Sequence, residues 1–252
     1  MGGDLFDLSG KVCLVTGGSR GLGKEMVHAF AQHGADVIVA SRKLGACQAV
    51  AVDVREQYGR RAAALPVNVS DWDQCDALVE AAYAEFGRVD VLVNNAGMSP
   101  LYPSLPEVEE ALFDKVITLN LRGPFRLGSL IGARMAEGDG GSIINISSVG
   151  SIRPRPEYLP YAAAKAGLNA LTEGFAAAFG PTVRCNTIMA GMFATDIAKA
   201  WDRAAVDTMA KQMFALGRVG EPHEIVGAAL YLASDASSYC TGATLRLDGG
   251  GQ

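Results

Sequence analysis

Short runs of apolar and β-branched residues alternate along the chain with longer segments whose apolar residues recur at helical spacing. Seven runs predict strands, at residues 11–16, 36–40, 62–67, 89–93, 142–146, 183–188 and 243–247. The other segments predict helices at 24–33, 44–58, 71–86, 106–135 and 158–179, with one more beginning near 221. Strands that are apolar throughout and alternate with helices are typical of a parallel sheet with helices on both faces. The pattern therefore predicts an α/β protein with a doubly wound, seven-stranded parallel sheet.

Neither a linker nor a repeat interrupts this alternation, so we expect residues 1–252 to form a single domain. Hydrophobic residues make up 49% of the chain and charged residues 19%, which is the balance of a folded globular protein. No apolar run approaches the roughly 18 residues that a membrane helix needs. The amino-terminal segment lacks the basic cluster and apolar core of an export signal. We therefore expect a cytoplasmic protein with no membrane partner.

The charge and the metal-binding residue types narrow the partners further. The formal net charge of -5 disfavours nucleic acid or an anionic membrane surface as the main partner. The five cysteines form no close pair, which predicts small core residues in a reducing compartment rather than disulfides or a zinc site. The three histidines lack the spacing of metal ligands. We expect no metal, and a small molecule as the substrate.

Tyr161 and Lys165 lie four residues apart in a segment rich in alanine and leucine, so they share one face of a helix. Two unit charges about 4 Å apart interact by about 4 kcal/mol at an effective dielectric constant of about 20. An ammonium at that distance lowers the pKa of a phenol by about three units from its usual value of about 10. Tyr161 then exchanges a proton near neutral pH. The alternative is an ordinary amphipathic helix with a half-buried tyrosine and a surface lysine.

Three glycines, at positions 17, 21 and 23, lie between the first predicted strand and the first predicted helix. Glycines allow a tight turn and close approach of the backbone to a ligand, while the start of a helix offers free N–H groups to an anion. A glycine turn alone is weak support for a ligand site, because many such turns bind nothing. The position between strand and helix favours phosphate binding here.

Several ordered motifs together resemble the short-chain dehydrogenase/reductase family over nearly the whole chain. They comprise the TGxxxGxG turn that starts at Thr16, Asn-Asn-Ala-Gly at 94–97, Asn120, Ser148, the Tyr161 and Lys165 pair, and the closing segment YCTGATLRLDGG at 239–250. The resemblance implies a Rossmann-type NAD(P)-binding domain. It implies an oxidoreductase that transfers a hydride between a nicotinamide cofactor and a carbonyl or secondary alcohol.

The resemblance also assigns catalytic roles to four side chains. Tyr161 is expected to protonate the carbonyl oxygen, Ser148 to hold that oxygen, and Lys165 to lower the pKa of the phenol and bind the ribose hydroxyls. Ser147 is an adjacent alternative to Ser148, although the family spacing favours Ser148. Asn120 is expected to support a proton relay through its backbone and water. The alternative for Asn120 is a polar side chain that pins a kink in its helix.

The residues expected around the cofactor are spread over the loops that follow the strands. They are Gly17, Ser19, Arg20, Gly21, Leu22, Gly23, Ser41, Arg42, Asn68, Val69, Asn95, Ala96, Gly97, Tyr161, Lys165, Ile188, Gly191 and Thr195. An acidic residue after the second strand selects NAD, but Ser41 and Arg42 stand there, and Arg20 adds positive charge nearby. We therefore predict NADP(H) over NAD(H). The alternative is that Arg42 merely begins a solvated helix.

Two positions depart from the family pattern. Asn68 stands where an aspartate often recognises the adenine amino group, so that contact is weaker or uses the amide oxygen. Ala190 stands where the family usually has a proline, which would fix φ and stiffen the loop beside the nicotinamide. The rigidity of that loop is therefore an open question at the level of sequence.

The substrate is the least determined part of the sequence. Residues at about 192–215 lie where the family has a substrate lid, and their methionines and aromatic residues suit an apolar pocket or, equally, the buried face of ordinary helices. Arg153 and Arg155 are either substrate contacts or solvated loop residues. The resemblance implies first a 3-oxoacyl thioester or a similar ketone as substrate, then a sugar acid or polyol. The alternative of another class is a non-catalytic dinucleotide-binding sensor, and the family commonly forms homotetramers.

Overall fold

The computed structural model describes residues 5–195 and 203–251, and its described strands form one parallel sheet in the order β3-β2-β1-β4-β5-β6-β7. The strands are β1 (Val12–Thr16), β2 (Asp36–Ser41), β3 (Ala62–Pro66), β4 (Val91–Asn94), β5 (Gly141–Ser148), β6 (Val183–Ala190) and β7 (Thr244–Leu247). The predicted doubly wound fold is confirmed. The strand order reverses between β1 and β4, and ligands bind at such a switch point, outside the carboxyl ends of the strands.

Helices connect the strands on both faces of the sheet. They are α1 (Gly21–Gln32), α2 (Leu44–Tyr58), α3 (Trp72–Phe86), α4 (Glu110–Ile117), α5 (Gly123–Glu137), α6 (Leu159–Phe179), α7 (Arg203–Met213) and α8 (Val226–Ala233). The first helix begins at the glycine turn, three residues before its predicted start. The stretch predicted as mainly helical at 106–135 divides into α4 and α5, which are joined by a π-helical turn at Thr118–Arg122.

Two apolar layers hold the sheet, one on each face. Successive strand residues point to opposite faces, so Cys13 and Val15 of β1 pack with α1, α2 and α8, while Leu14 packs with α3, α5 and α6. Most side chains in the two layers are apolar, which explains why the strands read as apolar runs, although β5 and β6 also bury polar side chains such as Asn145 and Thr187.

A chain of buried polar side chains attaches α6 to three strands of the sheet. Asn94 Nδ2 donates to Asn145 Oδ1 (2.9 Å), and Asn145 Nδ2 donates to Thr172 Oγ1 (2.9 Å). Thr172 Oγ1 also lies 2.8 Å from Thr187 Oγ1. Buried hydrogen bonds of this kind require defined geometry at both partners. They therefore set the position of α6, which carries Tyr161, relative to β4, β5 and β6.

A side-chain cap fixes the start of α3. The Asp71 carboxylate accepts from the N–H of Gln74 (3.0 Å) at this position. No helix in residues 5–195 and 203–251 is long and apolar enough to cross a membrane. All five cysteines lie in this part of the chain and are free thiols.

Candidate active site

Thr16, at the end of β1, ties the glycine turn to the turn after β4. Its hydroxyl donates to Val93 O (3.1 Å) and accepts from the N–H groups of Asn95 (3.0 Å) and Ala96 (3.1 Å). The Asn95 side chain donates in return to Thr16 O (2.9 Å). Asn95 and Ala96 therefore shape the site by holding two loops together, and the Asn95 amide is already occupied.

The glycine turn leaves a bare helix start facing this edge of the sheet. Gly17 has a φ of 65°, and a Cβ at Gly23 would clash with Gly17 O and lie 2.5 Å from Asn95 Nδ2. The start of α1 has no side-chain cap and no acidic residue in its first turn. Its free N–H groups and positive dipole end therefore suit a pyrophosphate. The Leu22 side chain packs against the hydrophobic core. Thr195 lies next to Gly21, because a Cβ placed on Gly21 would be 3.6 Å from the Cβ of Thr195.

The residues expected to surround the adenosine meet between β1 and β2. Ser19 Oγ lies 2.9 Å from Ser41 Oγ, which itself lies 2.9 Å from Cys47 Sγ. The residues that follow these serines in sequence, Arg20 and Arg42, are exposed, and neither side chain makes a hydrogen bond or ion pair within the described ranges. A cluster of hydroxyls beside two unengaged guanidinium groups suits a phosphate ester.

Beyond β3, the predicted adenine contacts are partly engaged elsewhere. Asn68 Oδ1 accepts from the N–H of Ser70 (3.3 Å), and the Asn68 N–H donates to Gln74 Oε1 (2.9 Å). Val69 is buried, and its carbonyl lies where a Cβ on Gly123 would stand. The Asn68 amide N–H₂ group remains available for a base, whereas Val69 can contribute only through its main chain.

Ser148, Tyr161 and Lys165 converge at the carboxyl end of β5. The Ser148 hydroxyl lies near enough to the Tyr161 phenol to lower the pKa of that phenol by hydrogen bonding. Lys165 Nζ lies 5.7 Å from the centre of the Tyr161 ring and donates to Ile146 O (2.7 Å). The neighbouring Ser147 instead donates to Lys165 O (3.3 Å) and is buried. Of the two adjacent serines, the structure brings Ser148 to the phenol.

The pKa values at this cluster correct one expectation. Burial raises the pKa of the Tyr161 phenol above 10, and the Ser148 hydrogen bond opposes that change. Burial also lowers the pKa of the Lys165 ammonium to about 8. The expected lowering of the Tyr161 pKa by Lys165 is therefore wrong for this structure. The reason is that desolvation destabilises the charged form of both groups, and the nearest partner of Nζ is a carbonyl rather than the phenol.

Asn120 is fully buried and bridges the π-helical turn to the loop after β4. Its Nδ2 donates to Val116 O (2.9 Å) and Met98 O (2.9 Å), and its Oδ1 accepts from the Met98 N–H (3.3 Å). A Cβ at Gly97 would lie 2.7 Å from Asn120 Oδ1 and 3.6 Å from Lys165 Nζ. Asn120 therefore pins a kinked helix, as in the structural alternative, and also lies within a short distance of Lys165.

The segment after β6 lies against β7 rather than forming a free loop. β6 continues to Ala190, which pairs with Ser148 and Leu247, and the Gly191 N–H donates to Leu247 O (2.9 Å). Pairing on both sides holds this backbone without the proline that the family usually has. The Ile188 side chain is fully buried, so Ile188 can reach a bound dinucleotide only through its main chain.

Aromatic residues from two loops form the mouth of the site. Tyr102, Tyr158 and Tyr161 line one crevice, and the rings of Tyr158 and Tyr161 meet edge to face at 6.4 Å. The Tyr102 hydroxyl donates to Pro156 O and accepts from the Leu159 N–H (2.8 Å), so it joins the loop after β4 to the start of α6. The Tyr102 hydroxyl therefore fixes the position of the loop after β4 relative to the start of α6.

The predicted lid is only partly described. Phe193 is buried and pairs with Gly220, while Met209 and Met213 on α7 are partly exposed. Trp201 lies outside the described residues. The Arg153 guanidinium donates a hydrogen bond to Gly251 O and so has a structural partner within the chain. Arg155 is exposed.

The sequence did not identify three residues that surround the site: Met98, which takes part through its main chain, and the polar residues Ser151 and Asn169. Asn169 Nδ2 donates to Ser151 Oγ (2.9 Å) close to Ser148. The available signal was spacing, because Asn169 follows Lys165 by four residues, as Lys165 follows Tyr161.

Comparison with known proteins finds relatives over nearly the whole chain. The family model described as enoyl-(acyl carrier protein) reductase matches residues 17–252. The chain is 38% identical over 246 residues to the 3-oxoacyl-(acyl-carrier-protein) reductase of Thermotoga maritima, covering 96% of this chain and 98% of the relative. It is 35% identical to the D-threitol dehydrogenase of Mycolicibacterium smegmatis, covering 97% and 94%. A short-chain type dehydrogenase/reductase from Mycobacterium marinum has a similar structure, with a TM-score of 0.90, 33% identity and coverage of 98% and 97%.

Proposed function

Because the chain belongs to the short-chain dehydrogenase/reductase family and is an oxidoreductase acting on CH–OH or C=O groups, we propose that it transfers a hydride between NADP(H) and a ketone. The observation that carries the proposal is the convergence of Ser148, Tyr161 and Lys165 beside the glycine turn. A proton donor, a hydrogen-bond donor and a cation then meet at one edge of the sheet. A sensor without turnover has no need of this group of side chains.

Each of the three side chains has a different role in carbonyl reduction. When bound, NADP(H) supplies the hydride that the carbonyl carbon accepts. Tyr161 gives its phenolic proton to the carbonyl oxygen, and Ser148 holds that oxygen by a hydrogen bond as negative charge develops. Lys165 would hold the ribose hydroxyls of the bound dinucleotide. Alcohol oxidation reverses each step, with Tyr161 as the base.

The preference for NADP(H) over NAD(H) rests on charge at the end of β2. Arg20 and Arg42 are exposed and unengaged in the described ranges, and each follows directly after one of the two serines, Ser19 and Ser41, whose hydroxyls lie 2.9 Å apart. A 2′-phosphate can accept a forked hydrogen bond from a guanidinium. No acidic side chain occupies the corresponding position to repel it.

We propose a 3-oxoacyl thioester or a similar ketone with an apolar chain as the substrate. The segments that lead to the crevice and to Ser148 carry exposed apolar side chains, namely Leu101 (84% exposed), Ile152 (52%) and Leu159 (41%). A rim of this kind suits an acyl chain and offers few hydrogen bonds to a polyol. The similarity to the reductase of Thermotoga maritima supports the same class. A sugar acid or polyol is the second candidate, supported by the similarity to D-threitol dehydrogenase.

The decisive experiment is turnover by wild type and Tyr161→Phe with acetoacetyl thioesters, apolar ketones, sugar acids and polyols, followed by nicotinamide absorbance. We expect wild type to reduce thioesters or apolar ketones with NADPH. In Tyr161→Phe, we expect turnover to fall by about two to four orders of magnitude, because general acid catalysis contributes that much. NADPH binding, measured by fluorescence, should survive.

Tyr83→Phe is the matched control, since Tyr83 packs under the Arg134 guanidinium near the end of α3, which leads to the amino end of β4 rather than to the carboxyl edge where the site lies. Its turnover should equal that of wild type. Full activity in Tyr161→Phe would refute the assignment of the proton donor. Tight NADPH binding with no turnover of any substrate would favour the sensor instead.

We also place the enzyme in the cytoplasm as a homotetramer with a substrate lid at about 192–215. The free thiols support a reducing compartment. The tetramer is supported by exposed apolar side chains on the outer strand β7 and on helices α4 and α5, including Leu245, Phe113 and Phe125.

A further inference from the structure

A chain of hydrogen bonds connects α6 to the backbone of Ser148. Asn169 Nδ2 donates to Ser151 Oγ (2.9 Å), and Ser151 Oγ donates to Ser148 O (2.6 Å). The Ser151 hydroxyl has one hydrogen, which is used toward Ser148, so the group that faces it must be a donor. This requirement assigns the Asn169 amide with its N–H₂ group toward Ser151.

We propose that Asn169 is a positioning residue that holds the Ser148 loop against Tyr161. The proposal rests on the function proposed above. Tyr161 and Asn169 lie eight residues apart on one helix face, which corresponds to about 12 Å along the helix. The turn that follows Ser148 packs along α6. At one end Ser148 acts on the pKa of the Tyr161 phenol, and at the other end Ser151 accepts a hydrogen bond from Asn169.

The Ser148 hydroxyl depends on this loop for its orientation. Ser148 is the last residue of β5, and its Oγ accepts from the Gly150 N–H (3.1 Å) in the 3₁₀ turn Val149–Ser151. With an acceptor position of Oγ occupied by the turn, the hydroxyl hydrogen is left to point at the phenol or at a substrate oxygen. A turn that loses its attachment to α6 can rotate, and Ser148 then loses this direction.

The other atom of the Asn169 amide makes an unfavourable contribution to stability. Asn169 Oδ1 is buried and has no hydrogen-bond partner in the part of the chain that the structure describes. A buried acceptor without a partner lowers stability, and an apolar side chain of the same shape removes that cost. Leucine at this position should therefore preserve or raise the melting temperature while it weakens catalysis.

Asn169→Leu, Ser151→Ala and the double variant test this inference, with Glu173→Gln as control. Glu173 is exposed and lies one turn further along the same face of α6. We expect kcat to fall about tenfold in each single variant and no further in the double variant, because both residues act through one chain. The Kd for NADPH should stay unchanged, and the melting temperature of Asn169→Leu should equal or exceed that of wild type.

The pH profile supplies a readout that packing alone would not change. The Ser148 hydrogen bond lowers the pKa of Tyr161, whereas burial and the nearby Tyr158 raise it; Lys165 is the other titratable group that faces the phenol. Losing the hydrogen bond therefore raises the pKa of Tyr161. The rise of alcohol oxidation with pH should move to higher pH in Asn169→Leu and Ser151→Ala but not in Glu173→Gln.

Two results would overturn the inference: an unchanged kcat in both single variants, or a fall in kcat that accompanies equal losses of melting temperature and NADPH binding. If Asn169→Leu fails to fold, Ser151→Ala carries the test. If wild type turns over no substrate, the proposed function fails first. In that case the positioning role is tested by NMR titration of ¹³C-labelled tyrosine, in which Tyr161→Phe identifies the Tyr161 signal. A Tyr161 pKa that is unchanged in both Asn169→Leu and Ser151→Ala would refute the positioning role.

Discussion

At the residue scale, Lys165 is a cation held where its charge costs stability. It is 3% exposed, donates to Ile146 O, and has no carboxylate partner among the described residues. Burial lowers its pKa to about 8, so part of its population is neutral in mildly alkaline solution. Proteins keep charges in such surroundings mainly where function requires them. Lys165 therefore has the environment of a site residue rather than of the surface lysine that the spacing alone allowed.

Arg42 carries a prediction at the same scale. We expect Arg42→Ala to raise the Kd for NADPH by about 10- to 100-fold, because a hydrogen bond to a charged group contributes about 1.5–3 kcal/mol. The Kd for NADH should change little. Fluorescence titration with both dinucleotides measures the two constants.

Lys43→Ala is the control for Arg42→Ala, since it removes the same charge from the adjacent exposed position without a forked donor. It should weaken NADPH binding much less. An NADPH to NADH preference that is identical in Arg42→Ala and wild type would remove the basis for assigning NADP(H).

At the element scale, the π-helical turn between α4 and α5 connects a break in a helix to the position of a loop in the site. Thr118–Arg122 departs from α-helical geometry where the Asn120 side chain donates to Val116 O, one turn before it. Such turns occur frequently at functional sites. The same side chain makes two hydrogen bonds with the main chain of Met98, so the kink also places the loop that contains Gly97.

Asn120→Leu tests whether this turn depends on its side chain. We expect the free energy of unfolding to fall by about 1–3 kcal/mol, because buried main-chain groups of Met98 and Val116 lose their partner. Urea denaturation measures the change. Ser129→Ala on α5, which removes an exposed hydroxyl bonded to Phe125 O, should stay within about 0.5 kcal/mol.

Turnover of Asn120→Leu separates the two roles considered for Asn120. Unchanged stability with lost turnover would contradict the pinning role and favour the proton relay. Lost stability with nearly normal turnover below the melting temperature would leave Asn120 as a structural residue alone.

At the scale of the whole molecule, the sheet has an open edge. β7 is the outer strand, and its residues are mostly exposed. An exposed edge strand with apolar side chains is prone to pair with another chain unless something covers it. In the proposed homotetramer, a neighbouring subunit covers this edge.

Leu245→Glu tests this arrangement. We expect the variant to form smaller assemblies than wild type, because a buried unpaired carboxylate at an interface is unfavourable. Light scattering after size exclusion measures the mass. Val52→Glu is the control, because Val52 on α2 is 39% exposed, compared with 38% for Leu245, and α2 flanks the other end of the sheet. A wild-type monomer, or an unchanged mass in Leu245→Glu, would contradict the tetramer.

Much of this molecule follows from local pattern. Seven apolar runs became seven parallel strands, Asp71 caps α3, and the glycine turn precedes α1, because each depends on neighbours a few residues away. Boundaries were less predictable where distant residues intervene. β6 extends to Ala190 because β5 and β7 pair with it on both sides, and 106–135 divides because Asn120 bonds to the Met98 loop.

The sequence by itself determined the order of elements, the turns that can bind a dinucleotide and the side chains able to exchange a proton. Only the tertiary structure decided which serine faces Tyr161, that burial raises the Tyr161 pKa and lowers that of Lys165, and that Asn169 is bonded toward Ser148. The physical reason is that helix and strand periodicity depends on adjacent residues, whereas desolvation and hydrogen-bond partners depend on chain segments that meet only in the folded protein.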